Sequence, residues 1–343
     1  MNLIEVLNTI RDNATAEYQE RIPEATRDNL ESIRYAMIDG DNIQVANEFI
    51  GTILNKLVKS VLITKMFENP LKALKHGSKP LGDTVEEIYV NFLKGEEYDP
   101  TGANLLQRNL PDVKTVYHRM NYEFQYPITV SRQQLSKAFA SYDALESFIN
   151  STIRTLYNSA ELDEFANMKQ LIKSAVEAKA MKLVDVADPT DEANGKAFIK
   201  TVKTISGLMT FPSTQHNGYL TAQATDTKPI TTFSRKDEQI LILDTATDVS
   251  VSVDVLASLF NMSVAEFNDT KKVVVDTLPT VEEGVIHAVL VDKEFFQVYD
   301  DLFTITSFEN GKGLYKNYYL NVWQTLAYSI LVNAVAFVSP KAA

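Results

Sequence analysis

One stretch of the sequence constrains the fold more than any other: an alternation of apolar and polar side chains over residues 116–130. The even-numbered positions are apolar or aromatic apart from His118, and most odd-numbered positions are polar. A period of two is that of a β-strand with one buried face. The pattern predicts one continuous strand about 50 Å long, at ~3.3 Å per residue, whereas ordinary strands have about five or six residues.

A partner for this strand lies upstream, at residues 84–94. Gly95 and the run Pro100-Thr101-Gly102 supply turn residues between the two segments. The predicted hairpin is longer than the core of such a chain needs. We therefore expect it to project from the body as an arm, with its exposed edges covered by a neighbouring copy.

The first 70 residues are predicted to be helical. Residues 30–38 and 46–61 each carry an apolar face at spacings of three and four, and Asn69-Pro70 terminates the second helix. A much longer helix is predicted over residues 144–180, about 55 Å at 1.5 Å per residue. Its single apolar stripe indicates that it lies along a sheet or another neighbour.

The second half mixes short strands with helices, which makes the predicted fold class α+β. The segment 185–195, with Pro189 and four acidic residues, is the clearest internal boundary. The elements predicted beyond it are a helix with the stripe Phe198, Val202, Ile205 and Met209, buried strands at 240–243, 273–275 and 285–291, helices at 253–260 and from Ser263, and strand over 314–338.

Composition excludes several classes of protein. The chain has 343 residues, a net charge of −12 and no cysteine, so disulfide scaffolds and cysteine-based metal sites are excluded. Residues 231–310 hold 15 acidic against 5 basic side chains, the opposite of a nucleic-acid-binding surface. The small basic clusters are expected to be solvated: Lys72, Lys75 and Lys79, Arg235 and Lys236, and Lys271 and Lys272.

No motif for catalysis, cofactor or metal binding is recognisable. The four histidines lack paired spacing, and His118 and His287 lie in apolar strands, where a structural role is expected. Glu86 and Glu87 are adjacent on a strand, so their side chains should point to opposite faces. An enzyme whose carboxylates converge from distant positions remains the alternative of a different class.

The chain shows no pattern of a targeted or membrane protein. Acidic residues interrupt the first twenty positions, unlike a signal peptide, and the apolar runs are far shorter than the ~20 residues of a membrane helix. We expect the protein to be made and kept in the cytosol of the producing cell, with no membrane partner.

Several ordered blocks, spread over residues 45–339, resemble the major capsid proteins of small short-tailed phages, the Salasmaviridae and their Rountreeviridae relatives. The blocks are Asn69-Pro70-Leu71-Lys72, Pro80-Leu81-Gly82, Glu86-Glu87-Ile88-Tyr89, Tyr157-Asn158-Ser159-Ala160-Glu161, Val253-Asp254-Val255-Leu256-Ala257, Ala288-Val289-Leu290-Val291-Asp292-Lys293, Asn317-Tyr318-Tyr319, Val322-Trp323-Gln324 and Asn333-Ala334-Val335-Ala336-Phe337-Val338-Ser339.

The resemblance implies the Hong Kong 97-type phage capsid fold. Its parts would be a helical N-terminal arm (1–69), an extended loop formed by the long β-hairpin (70–131), a peripheral domain with the spine helix (132–195 and 313–343) and an axial domain (196–312). Some relatives carry a further immunoglobulin-like domain, which we expect to be absent because this sequence stops at Ala343.

The implied function is that of a non-enzymatic major capsid protein, which assembles as pentamers and hexamers into an icosahedral head around double-stranded DNA. The expected partners are other copies, a portal protein and the enclosed DNA, without sequence-specific binding, while a scaffolding protein is left open. The expected location is the virion head, and the host cytoplasm during assembly. An encapsulin-like compartment shell is the alternative of the same fold. The expected assembly interface in the extended loop is Glu86, Glu87, Tyr89, Arg119, Tyr122 and Phe124.

Overall fold

The computed structural model describes the helices and strands of most of the chain. The described residues are 3–38, 45, 48–51, 67–79, 84–98, 100–102, 106–138, 142–189, 192–222, 228–250 and 272–340. The helices are α1 (Leu3–Asn13), α2 (Ala16–Arg21), α3 (Leu30–Ile38), α4 (Arg132–Ala138), α5 (Tyr142–Glu177), α6 (Glu192–Leu208), α7 (Tyr219–Ala222) and α8 (Thr245–Ser250). The strands are β1 (Lys75–Ser78), β2 (Thr84–Val90), β3 (Val113–Arg119), β4 (Tyr122–Ser131), β5 (Lys182–Asp185), β6 (Gln239–Asp244), β7 (Lys272–Val275), β8 (Gly284–Asp292), β9 (Phe296–Asn310), β10 (Tyr315–Tyr328) and β11 (Ala334–Pro340).

The chain divides into two compact units. The first unit comprises Met1–Asn69, Tyr122–Glu164 and Asp300–Gln324, and the second comprises Pro70–Asn121, Phe165–Tyr299 and Thr325–Ala343. The segment 185–195 lies inside the second unit.

In the first unit, helix α1 packs with α2, and α3 packs with α4; all three N-terminal helices bury apolar side chains. Thr15 caps α2, because its hydroxyl oxygen accepts a hydrogen bond from the Tyr18 amide at 3.4 Å. The Arg11 side chain donates from Nε to the Ile22 carbonyl at 2.9 Å, which satisfies an acceptor beyond the end of α2. The buried side chains of residues 3–38 include Leu7, Ile10, Tyr18, Ile22, Ile33 and Met37. The apolar face predicted for residues 30–38 is therefore confirmed.

The first unit also contains most of the long helix and an edge strand of a sheet. Strand β4 pairs antiparallel with β10, from Tyr122 opposite Gln324 to Ser131 opposite Tyr315, within a sheet of order β1-β9-β10-β4. Helix α5 has 36 residues, which confirms the long helix predicted from the sequence. The Tyr126 hydroxyl of β4 donates to the Asp163 carboxylate of α5 at 2.9 Å, joining sheet and helix.

The prediction of one continuous strand over residues 116–130 is wrong. Strand β3 pairs with β2, whereas β4 pairs with β10. Between them Asn121 leaves the ladder: its side chain donates to the Leu326 carbonyl at 2.8 Å and accepts from the Leu326 amide at 2.9 Å. The alternation continues across the break because His118 and Tyr122, four residues apart, are both buried. Periodicity alone therefore cannot detect the change of partner.

The second unit is built on a five-stranded mixed sheet of order β5-β11-β8-β6-β7. The central strand β8 is antiparallel to β11 and β6, and the outer pairs β5 with β11 and β6 with β7 are parallel. Helix α6 and one face of this sheet share a buried core. The core includes Phe198, Val202 and Met209 from α6 and the residue after it, and Leu241, Leu243, Ala288, Leu290, Val335 and Phe337 from the sheet. The helical stripe and the three buried strands predicted for this part are confirmed.

The other predictions made from the sequence differ in outcome. The strand predicted over 314–338 is present as two strands, β10 and β11. The helix predicted over 46–61 is described only at residues 48–51, which are helical, and the helices predicted at 253–260 and from Ser263 lie outside the described residues. Lys272, predicted to be solvated, is instead a mostly buried side chain whose ammonium lies 2.5 Å from the Asp248 carboxylate.

The histidines in the apolar strands have the structural role that the sequence predicts. His287 Nε2 lies 2.7 Å from the Ser339 hydroxyl oxygen, and its Nδ1 lies 3.7 Å from the Asp244 carboxylate. His118 Nε2 lies 2.6 Å from the Glu87 carboxylate. Both rings therefore connect neighbouring strands.

Asp292, the last residue of β8, supplies a test of pH dependence. Burial raises the pKa of its carboxyl, and the nearby Glu238 and Glu294 raise it further, against hydrogen bonds from Ser234 and from the Glu294 amide. An acid whose folded pKa is raised costs stability once it ionises, as the pH rises from the unfolded towards the folded pKa. We expect Asp292→Asn to be more stable than the wild type at pH 7, with the difference vanishing below about pH 4. Urea unfolding at both pH values measures this; the exposed Asp237→Asn is the control, and an equal difference at both pH values would contradict the prediction.

Candidate assembly surface

Strands β2 and β3 form a two-stranded antiparallel ribbon in the second unit, with Thr84 opposite Arg119 at one end and Val90 opposite Val113 at the other. Because side chains alternate along a strand, the ribbon has two faces. The less exposed side, here named the inner face, carries Val85, Glu87, Tyr89, Lys114, Val116 and His118; the outer face carries Glu86, Ile88, Val90, Val113, Thr115, Tyr117 and Arg119. Glu86 and Glu87 point to opposite faces, as the sequence predicts.

The outer face exposes apolar side chains to solvent. Ile88 is 61% exposed and Tyr117 is 62% exposed, and Val90 and Val113 at the far end are also exposed. One polar contact orders this face: the Tyr117 hydroxyl donates to the Glu86 carboxylate at 3.0 Å. That hydrogen bond and the negative charge of Glu86 raise the pKa of Tyr117. An outer face of this composition favours contact with another apolar surface.

The inner face is held by polar side-chain pairs between the strands and at their ends. Glu87 and His118 join β2 to β3 and are both largely shielded from solvent. Lys114 lies 3.1 Å from the Asp112 carboxylate, and hydrogen bonding to Lys114 lowers the pKa of Asp112. These pairs give the short ribbon contacts beyond its backbone ladder.

The segment between the two strands, residues 91–112 (the distal segment), adds further exposed apolar groups. The described part of this segment contains no strand. Leu106 is 92% exposed. Its other exposed large apolar side chains are Phe92, Leu93, Tyr98 and Leu110. Together with the outer face, the distal segment forms a surface of exposed apolar side chains on one part of the chain.

The six side chains predicted as an interface do not all lie on the ribbon. Glu86, Glu87, Tyr89 and Arg119 do, with Glu86 and Arg119 on its outer face. Tyr122 and Phe124 lie on β4 of the first unit, where their rings stack with centroids 4.2 Å apart. Tyr122 is buried and its hydroxyl lies 3.0 Å from that of Tyr126, whereas Phe124 is half exposed.

Sequence reasoning overlooked the apolar members of the outer face, Ile88, Val90, Val113 and Tyr117. The signal was present, because both alternating sets of the ribbon contain apolar residues. A strand with one solvated face would carry polar residues on that face. Apolar residues on both faces are typical of a ribbon whose two faces are both covered, and in the described part of the chain the outer face is exposed.

The ribbon and distal segment have the chemistry of a contact surface. Within the described ranges, no three or more acidic or histidine side chains are grouped so that they could hold a metal ion. None of the helices in these same ranges is both long enough and apolar enough to cross a bilayer. The large exposed side chains of the outer face and distal segment are mainly aliphatic and aromatic, and removal of such groups from water favours association.

Comparison with solved structures defines the class of protein. A chain of the Staphylococcus phage Andhra capsid matches with a TM-score of 0.65 and 13% identity, over 82% of this chain and 86% of that one. A chain from a structure of the head fiber and inner core protein of bacteriophage P68 matches with a TM-score of 0.60 and 12% identity, over 81% and 86%. The α+β fold is that of the phage capsid proteins, the Hong Kong 97-type fold.

The sequence comparisons identify the family within that class. Residues 7–338 match the model of the Phi29-like phage major capsid protein family, and the chain belongs to that family. The major capsid protein of Bacillus phage PZA is 34% identical over 98% of this chain and 72% of its own length. That of Bacillus phage B103 is 32% identical over the same shares. The chain is a major capsid protein: it assembles with itself into the shell of a phage head, and its role is structural and not enzymatic.

Proposed function

We propose that the shell is an icosahedral head built of pentamers and hexamers, in which the outer face of the ribbon and the distal segment of one copy are covered by the next copy. The observation that carries this proposal is the exposure of Ile88, Val90, Val113 and Tyr117 together on one face. A closed symmetric assembly buries such a surface on every copy. Family membership favours this role over a compartment shell or a carboxylate-dependent enzyme.

The six predicted interface residues take different parts in this proposal. Glu86 and Arg119 border the apolar outer face as a polar rim. Glu87 and Tyr89 act from the inner face by holding the ribbon in place. Tyr122 and Phe124 belong to a separate contact on β4, where the half-exposed Phe124 ring is the group available to a neighbour.

We further propose the domain ranges and partners that the resemblance implies: an arm at 1–69, an extended loop at 70–131, a peripheral domain at 132–195 and 313–343, and an axial domain at 196–312. The head encloses double-stranded DNA, receives a portal protein and forms in the host cytoplasm, with or without a scaffolding protein. The net charge of −10 over residues 231–310 argues against contact between this segment and the enclosed DNA. Packed phosphates are repelled from it within a Debye length of ~8 Å.

A single charge on the outer face tests the assembly proposal. Val90 is 54% exposed on the ribbon and Val249 is 83% exposed on α8, so lysine is tolerated by the folded chain at both positions. We expect Val90→Lys to remain folded but to form no closed particles, since a lysine buried without a partner costs several kcal/mol. Val249→Lys, the matched control, should assemble as the wild type does.

Sedimentation velocity and negative-stain microscopy measure assembly, and circular dichroism measures folding. Normal particles from Val90→Lys would show that this face is solvated in the shell and would overturn the proposed interface.

A further inference from the structure

The end of the ribbon next to the distal segment is bound to a short piece of its own unit, residues 229–233, here named the anchor segment. The Asn91 side chain donates from Nδ2 to the Pro229 carbonyl at 3.1 Å and accepts at Oδ1 from the Thr231 amide at 3.3 Å. The Tyr89 hydroxyl donates to the Thr231 carbonyl. The Asn91 side-chain amide thus pairs with the anchor backbone as the backbone of a neighbouring strand would. Together, Asn91 and Tyr89 bind both the amide and the carbonyl of Thr231.

Aromatic contacts flank these hydrogen bonds. The rings of Phe92 and Phe233 stack with centroids 6.4 Å apart, within the range of attractive aromatic pairs. On the other strand, the Lys114 ammonium lies 5.6 Å from the centroid of the Tyr219 ring, a cation–π distance. Both strands of the ribbon are therefore attached to the same unit.

The anchor segment is itself fixed by a buried polar network. The Thr232 hydroxyl donates to Asn333 Oδ1 at 2.5 Å, and Asn217 Nδ2 donates to the Ile230 carbonyl at 3.1 Å and to the Thr232 hydroxyl at 3.0 Å. The backbones of Ser213 and Thr232 exchange two hydrogen bonds, at 3.0 and 2.9 Å. Satisfied buried networks of this kind are rigid, so the ribbon is attached to a fixed point.

We propose that the contacts of Tyr89, Asn91, Phe92 and Lys114 with the second unit are a latch, which orders the ribbon on its own chain before assembly and presents the outer face ready to bind. This inference rests on the proposed function, in which the outer face docks on a second copy. An isolated two-stranded ribbon is at best marginally stable, and a mobile one must be ordered at the moment of docking. The latch orders the ribbon before docking. Its contacts do not use the outer face, which therefore stays available to a second copy.

Asn91→Ala tests the latch, because it removes the two hydrogen bonds of the amide to the anchor segment and leaves the backbone ladder of the ribbon intact. It also removes the amide's local hydrogen bonds to the Asp112 carboxylate and from the Phe92 amide, which lie at the end of the ribbon itself. Two properties are measured on the full chain: hydrogen exchange of the ribbon amides in the unassembled protein, and the protein concentration at which particles first form. We expect faster exchange in residues 84–90 and 113–119, and an assembly threshold raised about tenfold. Asn13→Ala in α1 is the matched control and should change neither property.

The two measurements separate the possible failures. Unchanged exchange in Asn91→Ala would show that there is no latch. Faster exchange with a lower assembly threshold would show that the contact inhibits assembly, and would overturn the proposal while leaving the docking function intact. A wild-type chain that never assembles would instead overturn the proposed function itself, and with it the role of the latch, whatever the exchange result.

Discussion

A variant in which residues 92–111 are replaced by Asn-Gly is expected to fold as the wild type does and to form no closed shells. The Asn91 amide donates to the Asp112 carbonyl at 2.9 Å, so these two residues lie next to each other just beyond the last pair of the ribbon, Val90 and Val113. A two-residue Asn-Gly turn connects such a pair with the right twist. The variant keeps both strands, the Asn91 side chain and Asp112. It loses residues 92–111, which include the Phe92 ring that stacks on Phe233, whereas the latch contacts of Tyr89, Asn91 and Lys114 remain.

The expected effect is large because of the side chains that are removed. Leu93, Tyr98, Leu106 and Leu110 are each largely exposed in the single chain, so their loss costs the fold little. Each contributes ~1.5–3 kcal/mol when fully buried by a neighbour. A loss of about 6 kcal/mol per contact lowers an association constant by roughly four orders of magnitude. Closed particles should then be absent at concentrations where the wild type assembles.

Thermal unfolding followed by circular dichroism, together with sedimentation velocity, distinguishes the possible outcomes. A melting temperature near that of the wild type with no particles supports the assembly role. Loss of the fold would mean that the distal segment belongs to the core of its own chain. Particles of normal size would mean that the distal segment is dispensable for the shell.

The sequence predicts which side chains of a strand are buried, but it does not predict which other strand it pairs with. The alternation over residues 116–130 correctly places His118, Tyr122 and Val130 on buried faces. It could not reveal that Asn121 ends the ribbon, because a strand keeps its period when it passes from one partner to another. The long helix and the buried strand β8 were predictable because each carries a pattern that does not depend on its partner: an apolar stripe at helical spacing in the helix, and an unbroken apolar run in the strand.

Contacts between distant parts of the chain were beyond the reach of pattern analysis. Asn91 and Pro229 are separated by 138 positions, and no local signal links them. Lys272 was predicted to be solvated because it belongs to a basic pair, yet Asp248 neutralises it in a largely buried position. The assembly surface was predictable in part: Glu86 and Arg119 were named, but their apolar neighbours Ile88 and Val90 were overlooked, although the sequence carries apolar residues in both alternating sets of the ribbon.

The second large effect is expected from a single methyl group at Gly218. A Cβ at this position would lie 2.2 Å from the Ala180 carbonyl oxygen and 2.5 Å from the Ala180 backbone carbons. Ala180 cannot move away, because its amide donates to the Ala175 carbonyl at the end of α5 and the preceding residue, Lys179, has the left-handed φ of 58°. The Lys179 carbonyl also accepts from the Thr221 hydroxyl at 2.6 Å. The backbone must therefore shift, and overpacking of this kind costs about 3 kcal/mol.

Alanine at Gly207 is expected to raise the free energy of unfolding, whereas alanine at Gly218 lowers it. Gly207→Ala is therefore the control for Gly218→Ala. Gly207 lies in the last turn of α6, and a Cβ there would meet nothing within 4 Å. Alanine at a helical position is favoured over glycine by about 1 kcal/mol, so Gly207→Ala should stabilise the chain. Urea unfolding of the two variants should give midpoints on either side of the wild type. Equal urea midpoints would contradict the prediction. They would show that the backbone around Ala180 shifts to accept a Cβ at Gly218 without loss of stability.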